Sequence, residues 1–307
     1  MWLTDEQLAL QETVARLLAK GPDNLWPTLC EIGAPGLAIP EEHGGSGATL
    51  AELQVVLEQL GRTLAPVPLL GTAVAAEALL ATGNSEACQR LLPDIAAGRV
   101  AAWCPEAEKY VLDGDRAEVL LVGRNNVLYE MSPDQVDITP LTTMDQSRHL
   151  ATVTVNQPQN PIGPYDEARV KRFALSALAA EQVGTAARCL EMTVEYAKQR
   201  HQFGRPIGSF QAVKHRLADM HVLLETARSA AYDREHPVEA KIYCSDALTR
   251  IAAETVQLHG GIAITWEHDA QRYFKRAHGA AFLFGDPAEH LRAYQVRGAG
   301  CSLTPNW

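Results

Sequence analysis

A short stretch of strand-like sequence, residues 101–156, interrupts a chain whose pattern is otherwise helical, and this order limits the possible folds. We predict strands at Val119–Val122, Val127–Tyr129 and Ala151–Val155, with Arg124-Asn125-Asn126 forming a hairpin turn between the first two. Roughly 55 residues of β structure are too few to form an independent core. We therefore expect this unit to pack against the helices on either side of it.

The N-terminal third is predicted to be helical. Thr4-Asp5-Glu6-Gln7 has the pattern of a capping box, in which two side chains satisfy free backbone groups at the start of a helix. Apolar periodicity predicts further helices at Leu50–Leu60 and Thr72–Leu92. The density of glycine and proline at Gly33–Gly47 predicts a loop before them.

The C-terminal half is predicted to form a helical bundle. Asp166 is a candidate N-cap for a helix that ends near Gln199, and Ser209 is a candidate N-cap for the next helix. That second helix carries apolar residues at 4-3-4-3 spacing, which is typical of packing within a bundle. They are Val213, Leu217, Met220, Leu224 and Ala227.

Pro237 is expected to open a third bundle helix, and a fourth follows Gly260-Gly261 and includes Ala270–Phe284. The predicted fold class is therefore mainly α with a small β domain. We expect an N-terminal helical domain over residues 1–100, the β domain over 101–160 and a four-helix bundle over 161–307.

Composition and charge narrow the functional classes. A net charge of −10 disfavours a nucleic-acid partner. No apolar run is long enough to span a bilayer and the first residues lack the pattern of a signal peptide, so we expect a cytoplasmic protein with no membrane partner. The six cysteines include no C-x-x-C pair, which favours free thiols and no metal site.

Two segments place cationic, amide and glycine groups at predicted helix ends. Arg200-x-x-Phe203-Gly204-x-x-Ile207-x-x-Phe210-Gln211 follows the first bundle helix, and Gln257-x-x-Gly260-Gly261 ends the third. Taken singly, the arginine could close a helix, the glycine pair could be a C-cap and Gln257 could be a surface amide. Together they suit a diphosphate-bearing cofactor. Further cations surround the first segment: Lys198, Arg205, Lys214 and Arg216.

These segments resemble motifs of the acyl-CoA dehydrogenase family of flavoproteins, and two more stretches do so in the same order. Gly36–Gly47 resembles the family's N-terminal loop, and Thr142–Ala151 resembles its P-x-x-D-x-[ST]-R stretch. The resemblance covers nearly the whole chain. It implies the family's order of domains and an FAD-dependent α,β-desaturation of an acyl-CoA substrate.

In that family the R-x-x-F-G segment reaches across a subunit boundary to a neighbour's flavin nucleotide. The resemblance implies that Arg200 pairs with the FAD diphosphate and that Phe203 packs beside the nucleotide. It also implies that Gln211 forms a hydrogen bond nearby, while Gln257 and the backbone of Gly260-Gly261 hold the other end of the diphosphate.

The positions at which the family places its catalytic glutamate carry no acid here. The family's Y-E-G-T segment falls on Leu283–Asp286, which puts Phe284 at the glutamate position. The family's other position, on the first bundle helix, falls on Ala174, and residues 168–180 contain no acid. Neither side chain can accept a proton, so no catalytic residue is assigned.

The β domain is also reduced, since the family's T-E-x-x-x-G-S-D loop around the flavin ring is absent between Ala101 and Val122. These losses remove the chain's own flavin bed and base but leave the arm that completes a neighbour's site. We therefore expect a subunit of a heteromeric acyl-CoA dehydrogenase that shares FAD with a full-length partner subunit, as an α2β2 heterotetramer. The resemblance to shortened chains of such heteromers implies a steroid-derived CoA thioester as substrate.

Two alternatives remain open. The chain could be a self-sufficient homomeric dehydrogenase with a relocated base, for which Glu181, Glu267 and Asp286 are the candidates. It could instead be a non-catalytic scaffold homologue, although a scaffold has no reason to keep residues suited to a diphosphate.

Overall fold

The computed structural model of the chain describes residues 3–21, 23–106 and 110–298. The described part begins with the helices α1 (Asp5–Leu18), α2 (Leu25–Glu31), α3 (Leu50–Thr63), α4 (Leu69–Leu80) and α5 (Ser85–Ala96). The predicted capping box is confirmed. The Thr4 hydroxyl accepts from the Gln7 N–H at 3.2 Å, and the Gln7 side chain accepts from the Thr4 N–H at 3.1 Å.

The prediction of one helix over Thr72–Leu92 is wrong, because α4 and α5 share this stretch. The chain turns at Gly83, whose φ is +64°. Asn84 then starts α5 by accepting a hydrogen bond from the Ala87 N–H at 3.0 Å. Apolar periodicity runs through the turn because both helices bury residues in one core.

The strands that follow are short: β1 (Ala101–Cys104), β2 (Val111–Leu112), β3 (Val119–Arg124), β4 (Val127–Met131), β5 (Asp137–Pro140), β6 (Leu150–Thr154) and β7 (Pro161–Pro164). They form two sheets, with strand orders β1-β3-β4-β7 and β2-β6-β5. The predicted hairpin is confirmed, with Asn125 and Asn126 at positive φ between β3 and β4. Trp103 and Leu121 belong to the same buried cluster as the N-terminal helices, so the sheet does pack against them.

The C-terminal half contains α6 (Glu167–Gln199), β8 (His201–Gln202), β9 (Arg205–Pro206), α7 (Gln211–Ala231), α8 (Pro237–His259), α9 (Ala270–Phe282) and α10 (Pro287–Gly298). Asp166 caps α6 by accepting from the Arg169 N–H at 3.0 Å. Pro237 is the first residue of α8, where its missing N–H costs no hydrogen bond. Both predictions are confirmed.

Two predictions in this half are wrong. Ser209 does not cap α7, because Phe210 occupies the N-cap position and the Ser209 hydroxyl donates to the Pro206 carbonyl at 2.7 Å. The fourth bundle helix ends at Phe282 rather than at Phe284, whose φ of +58° is left-handed and cannot continue a helix.

Helices α3 and α6 meet through their backbones. A Cβ added at Gly61 would lie 2.0 Å from the carbonyl oxygen of Glu181, and one added at Gly184 would lie 1.8 Å from that of Glu58. Any side chain at either position would force the helices apart, so both must be glycine. This contact joins the N-terminal helices directly to the bundle.

The long helix α6 consequently belongs to two cores. Its first half packs with the N-terminal helices through residues such as Ala174 and Leu178. Its second half packs with α7, α8 and α9 through residues such as Val183 and Leu190. The predicted fold class, mainly α with a small β domain, is confirmed. No helix within the described ranges is long and apolar enough to cross a membrane.

Candidate functional site

A β-hairpin projects from the end of α6 and carries the first predicted cofactor segment. Arg200 is the C-cap of α6, and its carbonyl accepts from the Ile207 N–H at 2.8 Å, which closes the base of the hairpin. Phe203 and Gly204 form the two-residue turn, both at positive φ. The Phe203 side chain is 91% exposed. An aromatic ring presented to solvent on a defined turn is typical of a contact with another molecule.

The hairpin is held in shape by contacts to Phe210. The Arg205 guanidinium carbon lies 4.1 Å from the centroid of the Phe210 ring, and the Phe203 ring meets that ring edge-on at 6.1 Å. The first is a cation–π contact and the second is an edge-to-face aromatic contact, and both are favourable. This segment, residues 200–211, is called the arm below. Its shape is fixed by contacts within this chain, while the Phe203 side chain at its tip is exposed to solvent.

Gln211 is the first residue of α7 and is exposed. Its Nε2 lies 3.0 Å from His215 Nε2, which fixes the amide along the helix. The bundle core on α7 begins only at Met220, so the first two turns of the helix contribute no buried residue. The predicted seam is accordingly confirmed for Met220, Leu224 and Ala227, whereas Val213 and Leu217 are only half-buried.

The cations predicted around the arm are all exposed. Arg216 forms an ion pair with Glu254 at 3.2 Å. The other four have no ion-pair partner in the part of the chain that the structure describes. They are Lys198, Arg200, Arg205 and Lys214. This leaves a local positive surface on a protein of net charge −10, which favours an anionic ligand.

The second predicted segment lies at the end of α8. Gly260 has φ +66° and ψ −147°, a backbone conformation that only glycine adopts readily. A Cβ added at Gly261 would meet no atom within 4 Å, so that backbone is open to an approaching ligand. Gln257 is exposed one turn earlier on α8.

His259 connects the two segments. Its ring stacks on Tyr196 at a centroid distance of 4.3 Å, and the Tyr196 hydroxyl donates to the His259 carbonyl at 3.2 Å. Tyr196 lies one turn before Arg200, and His259 directly precedes Gly260. The arm and the glycine pair therefore lie at the same end of the bundle.

The environment of the His259 ring favours its neutral form. Burial lowers the pKa of the imidazole, and Nδ1 donates to the Thr255 carbonyl at 2.7 Å. His259 was not singled out from the sequence, and no spacing in the sequence marks it, because its role comes from Tyr196, which is 63 residues away.

Ala174 and Phe284, the two positions that the sequence analysis aligned with the family's catalytic glutamate, both pack in or against the apolar core. Ala174 is fully buried. Phe284 follows the end of α9 and packs against the core of the N-terminal helices, while its carbonyl accepts from His290 Nε2 at 2.9 Å. An apolar ring therefore occupies the position that the sequence analysis predicted for the family's acid.

Of the three candidates for a relocated base, two are hydrogen-bonded to other residues and one is exposed to solvent. Glu181 is 5% exposed, and its Oε1 accepts from both Arg148 and Arg276. Asp286 caps the last helix, accepting from the Glu289 N–H at 2.8 Å. Glu267 is exposed in the loop before α9. None of the three has the buried and unpaired setting that is typical of a catalytic general base.

Glu181 is part of a buried charge network that sequence reasoning missed. Arg276 Nε donates to Asp145 Oδ2 at 2.7 Å, and Arg276 Nη2 donates to the Ser147 hydroxyl and carbonyl at 2.9 Å. Burial would raise the pKa of Asp145, but the Arg276 charge and the Ser147 hydrogen bonds hold it below its ordinary value. The Asp145–Arg148 stretch was read as a family motif, but nothing in the sequence indicated Arg276 as its partner. The network ties the β2-β6-β5 sheet to α6 and α9.

The structure offers no alternative metal chemistry in the ranges it describes, since no group of three or more His, Cys, Asp or Glu side chains converges there. Five cysteines form no disulfide within the described residues, and Cys301 lies outside those residues. The site is thus an exposed, cationic arm beside an open glycine turn.

Comparisons with known proteins match both halves of the chain. The family model described as acyl-CoA dehydrogenase, C-terminal domain, matches residues 171–294, and that described as acyl-CoA dehydrogenase, N-terminal domain, matches residues 4–99. The chain is 44% identical to the acyl-CoA dehydrogenase IpdE2 of Mycolicibacterium smegmatis, across 96% of this chain and 99% of that protein.

Solved structures show the same likeness. A variant of the Tcur3481-Tcur3483 steroid ACAD matches with a TM-score of 0.86 and 26% identity, covering 96% of this chain and 99% of that one. A chain of the ChsE4-ChsE5 complex from Mycobacterium tuberculosis matches with a TM-score of 0.84 and 25% identity, covering 99% of both chains.

Proposed function

The chain belongs to the acyl-CoA dehydrogenase family, and we propose that it is the non-catalytic subunit of a heteromeric acyl-CoA dehydrogenase. In this proposal a full-length partner subunit holds the flavin ring and supplies the base. This chain completes the partner's FAD site. The observation that supports the proposal is the packing of Phe284 against the core, because Phe284 is the position that the sequence analysis aligned with the family's acid.

The arm fits the diphosphate of FAD. Arg200 would pair with it, since a guanidinium makes two parallel charge-assisted hydrogen bonds to an anion. Phe203 would pack beside the nucleotide and Gln211 would donate to it. Gln257 and the open backbone of Gly260-Gly261 would hold the other end. When bound, FAD supplies the hydride acceptor of the desaturation.

Two observations support division of labour between subunits. The cations of the arm are exposed and largely unpaired, so their charges are available to an anionic ligand from outside this chain. The acids that could replace the missing base are ion-paired, used as a cap or exposed. In this proposal the chain positions a neighbour's cofactor, and none of the three candidate acids is placed to remove a substrate proton.

The proposed substrate class and assembly of this chain are inferred from its relatives. One similar structure is a steroid ACAD named for two components, and another is a complex of two named chains. We infer that this chain likewise pairs with a full-length acyl-CoA dehydrogenase in an α2β2 heterotetramer. Its substrate class would be a steroid-derived CoA thioester, and its location would be the cytoplasm.

The test is to purify the chain alone and co-expressed with a candidate full-length acyl-CoA dehydrogenase from the same organism, and to count flavin per chain by visible absorption. We expect negligible FAD on the lone chain and about one FAD per two chains in the complex. Stoichiometric FAD and acyl-CoA oxidation by the lone chain would contradict the proposal in favour of a self-sufficient enzyme. Absence of flavin from every complex would favour the scaffold alternative.

A matched pair of variants tests the arm itself. Arg200→Gln should lower the FAD content of the complex without unfolding the chain, because Arg200 is exposed. Arg172→Gln serves as the control, since Arg172 is an exposed arginine near the start of the same helix. Equal FAD content in the two variants would show that Arg200 does not bind the cofactor.

A further inference from the structure

A groove opens between the β2-β6-β5 sheet and the C-terminal end of α9. Its volume is about 290 Å³. Its apolar walls come from Tyr110, Met144, Leu150, Gly279, Phe282 and Leu283. Met144 is 51% exposed and Phe282 is 60% exposed. Large apolar side chains left in water beside a recess mark a surface that binds something apolar.

Two charged residues line this groove, and they differ in how fully their polar atoms are hydrogen-bonded. Asp145 already has both oxygens bonded, because Oδ1 accepts from Ser147 and Oδ2 accepts from Arg276. Arg148 also lines the groove, and its side chain is 8% exposed. Its Nη2 donates to Glu181, but its buried Nε has no hydrogen-bond partner among the described residues.

An unused buried donor is unfavourable, and such groups in folded proteins are usually satisfied by water or a ligand. Here the donor belongs to a guanidinium, and the surrounding walls are apolar. An arginine matches a carboxylate in both charge and geometry.

We propose that this groove binds an apolar molecule bearing a carboxylate. The apolar body lies against Met144 and Phe282, and the carboxylate faces the Arg148 guanidinium. The site needs no flavin and no partner subunit, so it does not rest on the function proposed above.

The probe is 2-naphthoate, a fluorescent aromatic carboxylate, and its uncharged counterpart is 2-naphthamide. Each is titrated against the full chain, alone and in the co-expressed complex. We expect the carboxylate to bind about tenfold more tightly than the amide, because a charged hydrogen bond adds to the shared apolar contact. Affinity for the amide that equals or exceeds that for the carboxylate, or no binding of either, overturns the proposal.

Substitutions at the rim separate charge from shape. Met144→Glu should weaken naphthoate binding by about two- to fivefold while sparing the amide, and Met144→Lys should not weaken it. Leu8→Glu is the control, since Leu8 is a partly exposed apolar residue on α1. If Met144→Glu and Leu8→Glu act alike, Met144 does not line the binding site and the inference is wrong.

Gly279→Leu tests the shape of the groove. A Cβ at this position would lie 3.4 Å from the Asp145 Cβ, an ordinary contact, so the helix accepts a side chain there. The larger leucine fills the groove and should abolish binding of both probes. Retention of naphthoate affinity in this variant would place the ligand elsewhere on the chain and refute the proposal.

Discussion

The ring of Tyr196 stacks on that of His259, and its hydroxyl donates to the His259 carbonyl at 3.2 Å. This pair joins the last turn of α6 to the last turn of α8. Each helix then leads directly into one of the two proposed FAD-binding segments. The relative position of those segments therefore depends on a contact between Tyr196, which precedes the first segment, and His259, which lies within the second.

Two substitutions of Tyr196 should separate the hydrogen bond from the stacking. Tyr196→Phe should lower the free energy of unfolding by about 1 kcal/mol, since it removes one hydrogen bond. Tyr196→Leu should cost roughly a further 1 kcal/mol because the aromatic pair is lost as well. Urea denaturation measures both effects, and the FAD content of the complex should fall more for Tyr196→Leu. Equal FAD content in both variants would show that the stacked pair does not position the site.

The backbone of Gly260 provides a second test. Gly260→Ala should destabilise the chain by about 1–3 kcal/mol, because its φ of +66° with ψ of −147° is strained for any residue with a Cβ. Gly261→Ala is the control, since the added Cβ meets nothing within 4 Å. Thermal unfolding should separate the two variants clearly. In the complex, Gly261→Ala should still lower FAD content if the open backbone is where the diphosphate lies.

The buried network around Arg276 is expected to be sensitive to removal of one partner. Arg276→Met should cost about 3–5 kcal/mol, because Asp145 and Glu181 would keep buried charges without their shared guanidinium. Arg272→Met, which breaks an exposed pair with Asp269, should cost less than about 1 kcal/mol. Denaturation midpoints compare the two. Similar losses for both would mean that the network is hydrated rather than buried.

Stability should also depend on pH through Asp113. Burial raises the pKa of this carboxyl group from 3.8 to about 6, although Arg116 and Arg148 oppose the shift. Between these two values the folded chain holds a proton that the unfolded chain has released, so stability falls as pH rises through this window. The full effect is about 3 kcal/mol, present below pH 3.8 and lost above about pH 6.

Asp113→Asn isolates this contribution. Asparagine cannot ionise and tolerates the φ of +53° at this position, so the variant should be about 1–3 kcal/mol more stable than the unmodified chain at pH 7.5. Its stability should change less between pH 4 and 6. Asp137→Asn, at an exposed position, should follow the unmodified chain throughout. A steeper pH dependence in Asp113→Asn than in the unmodified chain would contradict this account.

The sequence predicted the parts of this structure that depend on local chemistry. The capping box at Thr4, the N-cap at Asp166, the start of α8 at Pro237 and the Asn125–Asn126 turn each rest on a few adjacent residues. Two of the failures have a common cause. Ser209 and the break at Gly83 were misread because competing local bonds, rather than propensity, decide where those helices begin.

Long-range partnerships could not be predicted from the sequence. Arg276 joins Asp145 across 131 residues, and Tyr196 joins His259 across 63. Glu181 was a candidate base in the sequence, and only the structure shows its ion pairs with Arg148 and Arg276. A charged residue in a sequence carries no sign of whether it is neutralised in the fold.

At the crossing of α3 and α6 no side chain separates the helices at Gly61 or Gly184. Each half of the protein therefore buries part of its surface, including backbone groups, against the other half. A fragment that stops before α6 would uncover peptide groups of α3 that normally face another helix, and a fragment that starts at α6 would uncover its alanine-rich first half. Truncation, domain exchange or transplantation of the hairpin onto another scaffold must carry both helices together.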